Sequence, residues 1–321
     1  MAISAQPNYR NEVLWQAARA LALILTALLL GGLFAVPDLA LDVLWNVLIP
    51  VVPAVLLISP MVWRNTCPLA TANMLGNGLI ANRKPAVGLA LAFLAVGTVL
   101  FYVLVPARRI VFNTNGPFLA VTILAVVVLA LVMGMLFDKK AGFCNAICPV
   151  LPVERIYGVR PLIGSANDRC PKCTACISAC IDLSTARSLK QITRNNGQER
   201  HWVTTPFGVF AAAFPGFVFG YFQLSDGGFG NAVSVYMTIL MWAAVSLITF
   251  GAVGSALKLE LESLLVLVAP VAAGLYYWYA SPAVAETLRI GTGGGVLRVL
   301  FLGIVAFWAY RAFAGRWAVG Q

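Results

Sequence analysis

Six of the seven cysteines fall between positions 144 and 180. Four of them, Cys170, Cys173, Cys176 and Cys180, stand at C-x2-C-x2-C-x3-C, the spacing with which closely placed thiolates of one loop wrap a cubane iron-sulfur cluster. Structural zinc sites usually join two C-x2-C pairs across a longer loop, which four cysteines inside eleven residues do not provide. In runs of this kind the fourth cysteine ligates the other cluster of a pair. Cys180 therefore asks for a second site. Upstream, Cys144 and Cys148-Pro149 have the C-x3-C-P spacing, the second half of the same run without its first two cysteines. By the crossing rule Cys148 completes the cluster held by Cys170, Cys173 and Cys176, and Cys144 joins Cys180 on the second.

The seventh cysteine enters through an internal repeat. Aligning Cys67-Pro68 on Cys148-Pro149, an offset of 81 residues, superposes TCPLATANMLGNG on ICPVLPVERIYGV, and each segment follows two long apolar runs. Trp63 then falls where the second copy has Cys144. Cys67 becomes the third thiolate of the second site. Seven thiolates serve two clusters whose full complement is eight, so one site is a ligand short. At least one cluster is expected to be 4Fe-4S, the second either 4Fe-4S with an oxygen, nitrogen or water ligand, or 3Fe-4S. Asp138 stands in the register of the run's missing first cysteine, though a carboxylate beside Lys139 and Lys140 at a membrane edge is the plainer account of it. Asp182 and His201 are less well placed donors.

These ligands have to be positioned by a membrane scaffold. With 60% hydrophobic residues, 11% charged residues and a mean hydropathy of +0.87, the chain lies far outside the range of a water-soluble domain. Apolar runs near 20–36, 43–62, 87–106, 118–137, 207–224, 233–256, 264–279 and 296–312 approach the roughly 20 residues that a spanning helix needs. Eight spans put 18 of the 22 Lys and Arg on the face that carries the cysteines and leave Arg108, Arg109, Arg289 and Arg298 on the other. That face is expected to be cytoplasmic, where thiols stay reduced and a disulfide framework has no place. The same asymmetry explains the net charge of +10 and removes the motive for a nucleic-acid reading. Arg19 and Arg298, at the edges of apolar runs, read as side chains that snorkel to the interface. The GTGGG at 291–295 lacks the Lys and Ser/Thr of a phosphate loop and reads as a connection. A single histidine rules out bis-histidine haem ligation within this chain, and no G-x-G-x-x-G follows a strand signal.

Paired membrane helices, a C-x3-C-P element and a ferredoxin run in a cytoplasmic loop resemble the membrane-bound polyferredoxin family. That family includes the quinol dehydrogenase membrane subunit of periplasmic nitrate reduction and the membrane iron-sulfur regulator of nitrous oxide reduction. The similarity covers about residues 43–185. It implies clusters that relay electrons between quinol or a cytoplasmic donor and a redox partner subunit, a haem or other metalloprotein, at the inner membrane. Relatives usually keep two complete C-x3-C-P elements; this chain has one, plus Cys67-Pro68. The expected fold is an all-α integral membrane protein of about eight transmembrane helices with a small ferredoxin-like insertion on the cytoplasmic side. It divides into N-terminal hairpins (1–137), an iron-sulfur loop (138–206) and C-terminal helices (207–321). Electron transfer is the leading function, with a quinone as a further cofactor candidate. The alternatives are a maturation factor that uses the clusters as reductant, and a redox-sensing regulator. The former lacks the Met- or His-rich tract of metal handling, and the latter lacks a further soluble domain to receive a signal.

Overall fold

The computed structural model describes residues 9–76, 79–80, 83, 85, 87–137, 139–163, 189, 193–195, 198–199, 201–291 and 293–314. Cys170, Cys173, Cys176, Cys180, Asp138 and Asp182 lie outside the described residues.

Among those residues the chain is helical almost throughout. Seven helices are long and apolar enough to cross a membrane: α1 (Tyr9–Ala35), α2 (Pro37–Ile58), α5 (Gly88–Phe112), α6 (Gly116–Leu136), α9 (Ala232–Ala256), α10 (Leu261–Thr287) and α11 (Gly293–Ala314). Short helices α3 (Pro60–Thr66), α4 (Pro68–Leu75) and α7 (Leu151–Tyr157) follow the first two hairpins, and α8 (Pro206–Phe222) precedes the last three spans. Two-residue strands, Arg194–Asn195 and Gln198–Glu199, pair antiparallel. Large apolar side chains such as Leu21, Ile24 and Leu28 on α1 and Val121 and Val128 on α6 are exposed. At about 25 cal/mol per Å² such surface is unfavourable in water and suits lipid. The chain is a multi-pass membrane protein.

All eight expected runs lie on helices, seven of them long and apolar enough to cross a membrane; the fifth is shorter. At 17 residues α8 is about 25 Å long, short of a hydrocarbon core of roughly 30 Å. Thirteen of its residues are buried. Phe210 and Phe217 close on Phe101 of α5 at 5.5 and 5.0 Å between ring centroids. Apolar composition here marks the centre of a bundle enclosed by other helices. The second run is also displaced. Pro37 opens α2 at a first-turn position where its missing N–H costs nothing. Ser59, extended at φ −158°, ψ 97° ahead of Pro60, closes it.

The repeat is visible in the backbone. Hairpin α1–α2 leads into α3, Cys67 and α4; hairpin α5–α6 leads into a π-helical turn (Phe143–Ile147), Cys148 and α7. The two Cys-Pro segments lie against each other, as shared cluster ligands would require.

Candidate iron-sulfur site

Each Cys-Pro dipeptide dictates its own geometry. The ring of a proline clashes with an α-helical residue before it and drives that residue to extended backbone. Cys67 sits at φ −54°, ψ 124° and Cys148 at φ −60°, ψ 122°, nearly the same conformation 81 residues apart. Each thiol thus stands at a break between two short helical pieces rather than on a helix face. Two glycines let these pieces dock on the membrane helices. A Cβ on Gly134 of α6 would lie 1.9 Å from the Asn73 carbonyl oxygen, and one on Gly97 of α5 would lie 2.7 Å from the Ile147 carbonyl oxygen. The first contact seats α4 and the second seats the Cys144–Cys148 turn.

The consequence is convergence. Cys144 and Cys148 pack in one apolar cluster with Ala70, Ala130, Met133, Phe143 and Leu151, Cys67 lies against it, and all three are free thiols. Cys144 and Cys148 are buried and Cys67 half-buried. Asn73 Nδ2 donates to the Ala130 carbonyl at 2.9 Å, and Cys144 Sγ donates to Asn73 Oδ1 at 3.9 Å. Next to the thiols lies a buried ion pair: Arg64 Nη1 donates to Glu154 Oε2 at 2.5 Å while Nη2 donates to Asn145 Oδ1 at 2.7 Å. Asn65, fully buried two residues before Cys67, has no hydrogen-bond partner for either amide atom among the described residues. A buried amide in that condition costs about 1–3 kcal/mol.

Burial pushes the Cys144 thiol up to about 12, against the pull of Arg64 and Lys140. Burial also holds Cys148 well above the usual thiol range, with Glu154 adding to the rise. Cys67 is raised by burial, and the backbone N–H groups of Ala70 and Leu69 at the start of α4 draw it partly back. Without a metal these are neutral thiols. Soft sulfur donors in an apolar shell beside fixed cations suit a thiolate-bound iron-sulfur cluster, which takes the thiols up as anions and leaves that charge to be balanced. Among the described residues, no three His, Cys, Asp or Glu side chains are close enough to clamp one metal ion. A cluster presents its thiolates at separate corners and does not need so tight a set.

The structure thus brings together Cys67, Cys144 and Cys148. His201 instead caps a short turn, where Nδ1 accepts from the Val203 N–H at 3.4 Å and the ring packs on Trp202. Arg298 stays at the helix surface, with Nε donating to the Trp278 carbonyl at 3.0 Å. Sequence reasoning missed Arg64, Glu154, Asn145 and Asn73. The signal was present, because the offset of 81 that aligns Cys67 with Cys148 also aligns Arg64 with Asn145 and Asn73 with Glu154. Comparison with known proteins finds no matching family model, no matching curated protein and no matching solved structure.

Proposed function

We propose that the chain is a membrane-anchored electron-transfer protein carrying two iron-sulfur clusters. The observation that supports this reading best is that Cys67 packs against Cys144 and Cys148 in one apolar cluster, although the two Cys-Pro elements are 81 residues apart and only the second leads into the C-x2-C-x2-C-x3-C run. Cys148, Cys170, Cys173 and Cys176 would hold one 4Fe-4S cluster. Cys67, Cys144 and Cys180 would hold the other, as 4Fe-4S or 3Fe-4S. Bound there, such clusters supply one-electron transfer at potentials set by charge, hydrogen bonds to sulfur and exposure to solvent. The protein residues do the remaining work. The walls formed by Phe143, Leu151 and Met133 keep water from the thiolates, and Arg64 and Lys140 supply positive charge against them. The basic excess on the cysteine-bearing face orients that face to the cytoplasm of an inner membrane. Electrons enter from quinol or a cytoplasmic donor and leave to a haem or other metalloprotein subunit.

Anaerobic purification in mild detergent tests the reading, with iron and acid-labile sulfide counted and the clusters observed by paramagnetic resonance. About seven or eight iron atoms per chain is the expected result. About four would remove the second cluster, and a content near zero would remove the function.

A further inference from the structure

The end of α2 shapes a second feature, away from the thiols. The helix stops at Ile58 because Ser59 is extended ahead of Pro60, which leaves its last carbonyls without helical donors. A strap from far along the chain takes them up. The Leu162 N–H donates to the Leu57 carbonyl at 3.1 Å and the Ile163 N–H to the Ile58 carbonyl at 2.8 Å. Arg160 ties the same strap to the last two membrane helices, with Nη1 donating to the Ala312 carbonyl at 2.5 Å and Nε and Nη2 to Glu262 Oε1 at 3.0 and 2.9 Å. Between the strap and α11 an apolar groove of about 670 Å³ stays open. Ile58, Leu162 and Ile163 line it from one side, and Val299, Gly303 and Phe307 from the other. Those three α11 residues recur every fourth position, and the next in the series is Arg311. Arg311 is exposed, its Nη1 reaches only the Leu162 carbonyl at 3.4 Å, and it pairs with no carboxylate among the described residues.

We propose that this groove holds one acyl chain of an anionic phospholipid whose phosphate rests on Arg311. The inference does not depend on the iron-sulfur reading. From Val299 to Arg311 the groove follows α11 for about 18 Å, close to half of a hydrocarbon core of roughly 30 Å, so its length suits the chain of one leaflet. Charge fixes the other end. Glu262 neutralises Arg160, whereas Arg311 offers an uncompensated guanidinium, three residues before the end of α11, where headgroups lie. An arginine that merely snorkels needs no groove beneath it. Here the cation closes one end of a slot whose walls are apolar. A seated chain supplies the packing that α11 lacks against α2 and joins it to the strap.

Native mass spectrometry tests the proposal on the full-length protein, delipidated in mild detergent and titrated with phosphatidylglycerol or with phosphatidylcholine of the same chains. The wild type should retain one phosphatidylglycerol about fivefold more tightly than phosphatidylcholine, the scale of one arginine against an anionic headgroup. Arg311→Gln should bring the two lipids level. Arg298→Gln, near the opposite end of α11 and outside the groove, should leave the preference in place. Gly303→Leu should weaken both lipids, because a Cβ at Gly303 meets nothing within 4 Å and the added side chain fills the groove and not the packed interior. No preference in the wild type, a preference that survives Arg311→Gln or falls equally in Arg298→Gln, or wild-type binding by Gly303→Leu overturns the proposal. So does copurification of an isoprenoid quinone that Gly303→Leu displaces, which would assign the groove to a neutral occupant. Should Gly303→Leu not fold, the exposed Arg311→Gln still decides.

Discussion

The two Cys-Pro elements share a backbone and differ in what surrounds it. In the first copy α3 runs as a regular α-helix into Cys67; in the second, a π-helical turn widens the chain ahead of Cys148. That turn carries Cys144 into the thiol pocket, whereas its counterpart Trp63 packs against the aromatic core centred on α8. One copy therefore contributes two thiols and the other one. The copies also divide a charge pair. Arg64 of the first reaches Glu154 of the second, and the positions aligned with them, Asn145 and Asn73, are both amides. The differences between the two copies leave the thiols beside a buried charge pair that neither copy holds alone.

The sharpest way to break this comparison is to remove thiols one copy at a time. Cys148→Ser should lose one cluster, about four iron atoms and its resonance signal, and leave the other. Cys144→Ser and Cys67→Ser should both remove the second signal. If Cys144→Ser and Cys148→Ser abolish the same signal, the crossing of ligands between elements is wrong.

The charge pair comes next. Arg64→Met leaves Glu154 buried without its partner, which should cost about 3–5 kcal/mol, read as a loss of unfolding free energy in detergent. Adding Glu154→Leu should recover most of that loss. Failure to recover would mean that Arg64 stabilises the fold through contacts other than Glu154, its bond to Asn145 among them.

Much of this architecture is legible from composition, because a spanning helix announces itself by length and hydropathy. The departures have specific causes. The apolar run 207–224 has the hydropathy of a span, yet Phe210, Phe214 and Phe217 face helices and not lipid, a distinction that hydropathy cannot make. The run at 43–62 is displaced in the structure because Pro37 and Pro60 set the ends of its helix. The convergence of Cys67 with Cys144 and Cys148 follows from the repeat. The Arg64–Glu154 pair does not, since opposite charges 90 residues apart leave no local pattern. Only the alignment carried beyond the cysteines brings them into view.

Docking of the two copies should differ in tolerance. Gly134→Ala places a methyl against the Asn73 backbone at 1.9 Å, where nothing flexible can yield, and Gly97→Ala meets the Ile147 carbonyl at 2.7 Å. Overpacking of this kind costs about 1–3 kcal/mol. We expect both variants to lower the melting temperature, Gly134→Ala the more. Equal tolerance would mean that the first element is seated by something other than the contact between α4 and α6.

The smallest effect separates the two most similar residues. Cys67 and Cys148 have the same backbone conformation, but Cys67 is half-buried, and the N–H groups at the start of α4 partly offset its burial. Cys148 is buried, and Glu154 raises its thiol further. The thiolate is the species that reacts with an alkylating agent. A thiol raised above its ordinary value holds less thiolate at any pH below that value, so its reaction starts later as pH rises. In protein stripped of iron under reducing conditions, alkylation followed by peptide mass spectrometry should therefore be slow at about pH 7 and quicken toward alkaline pH. Cys67 should react ahead of Cys148 at every pH. The reverse order would mean that burial and Glu154 do not hold Cys148 above Cys67.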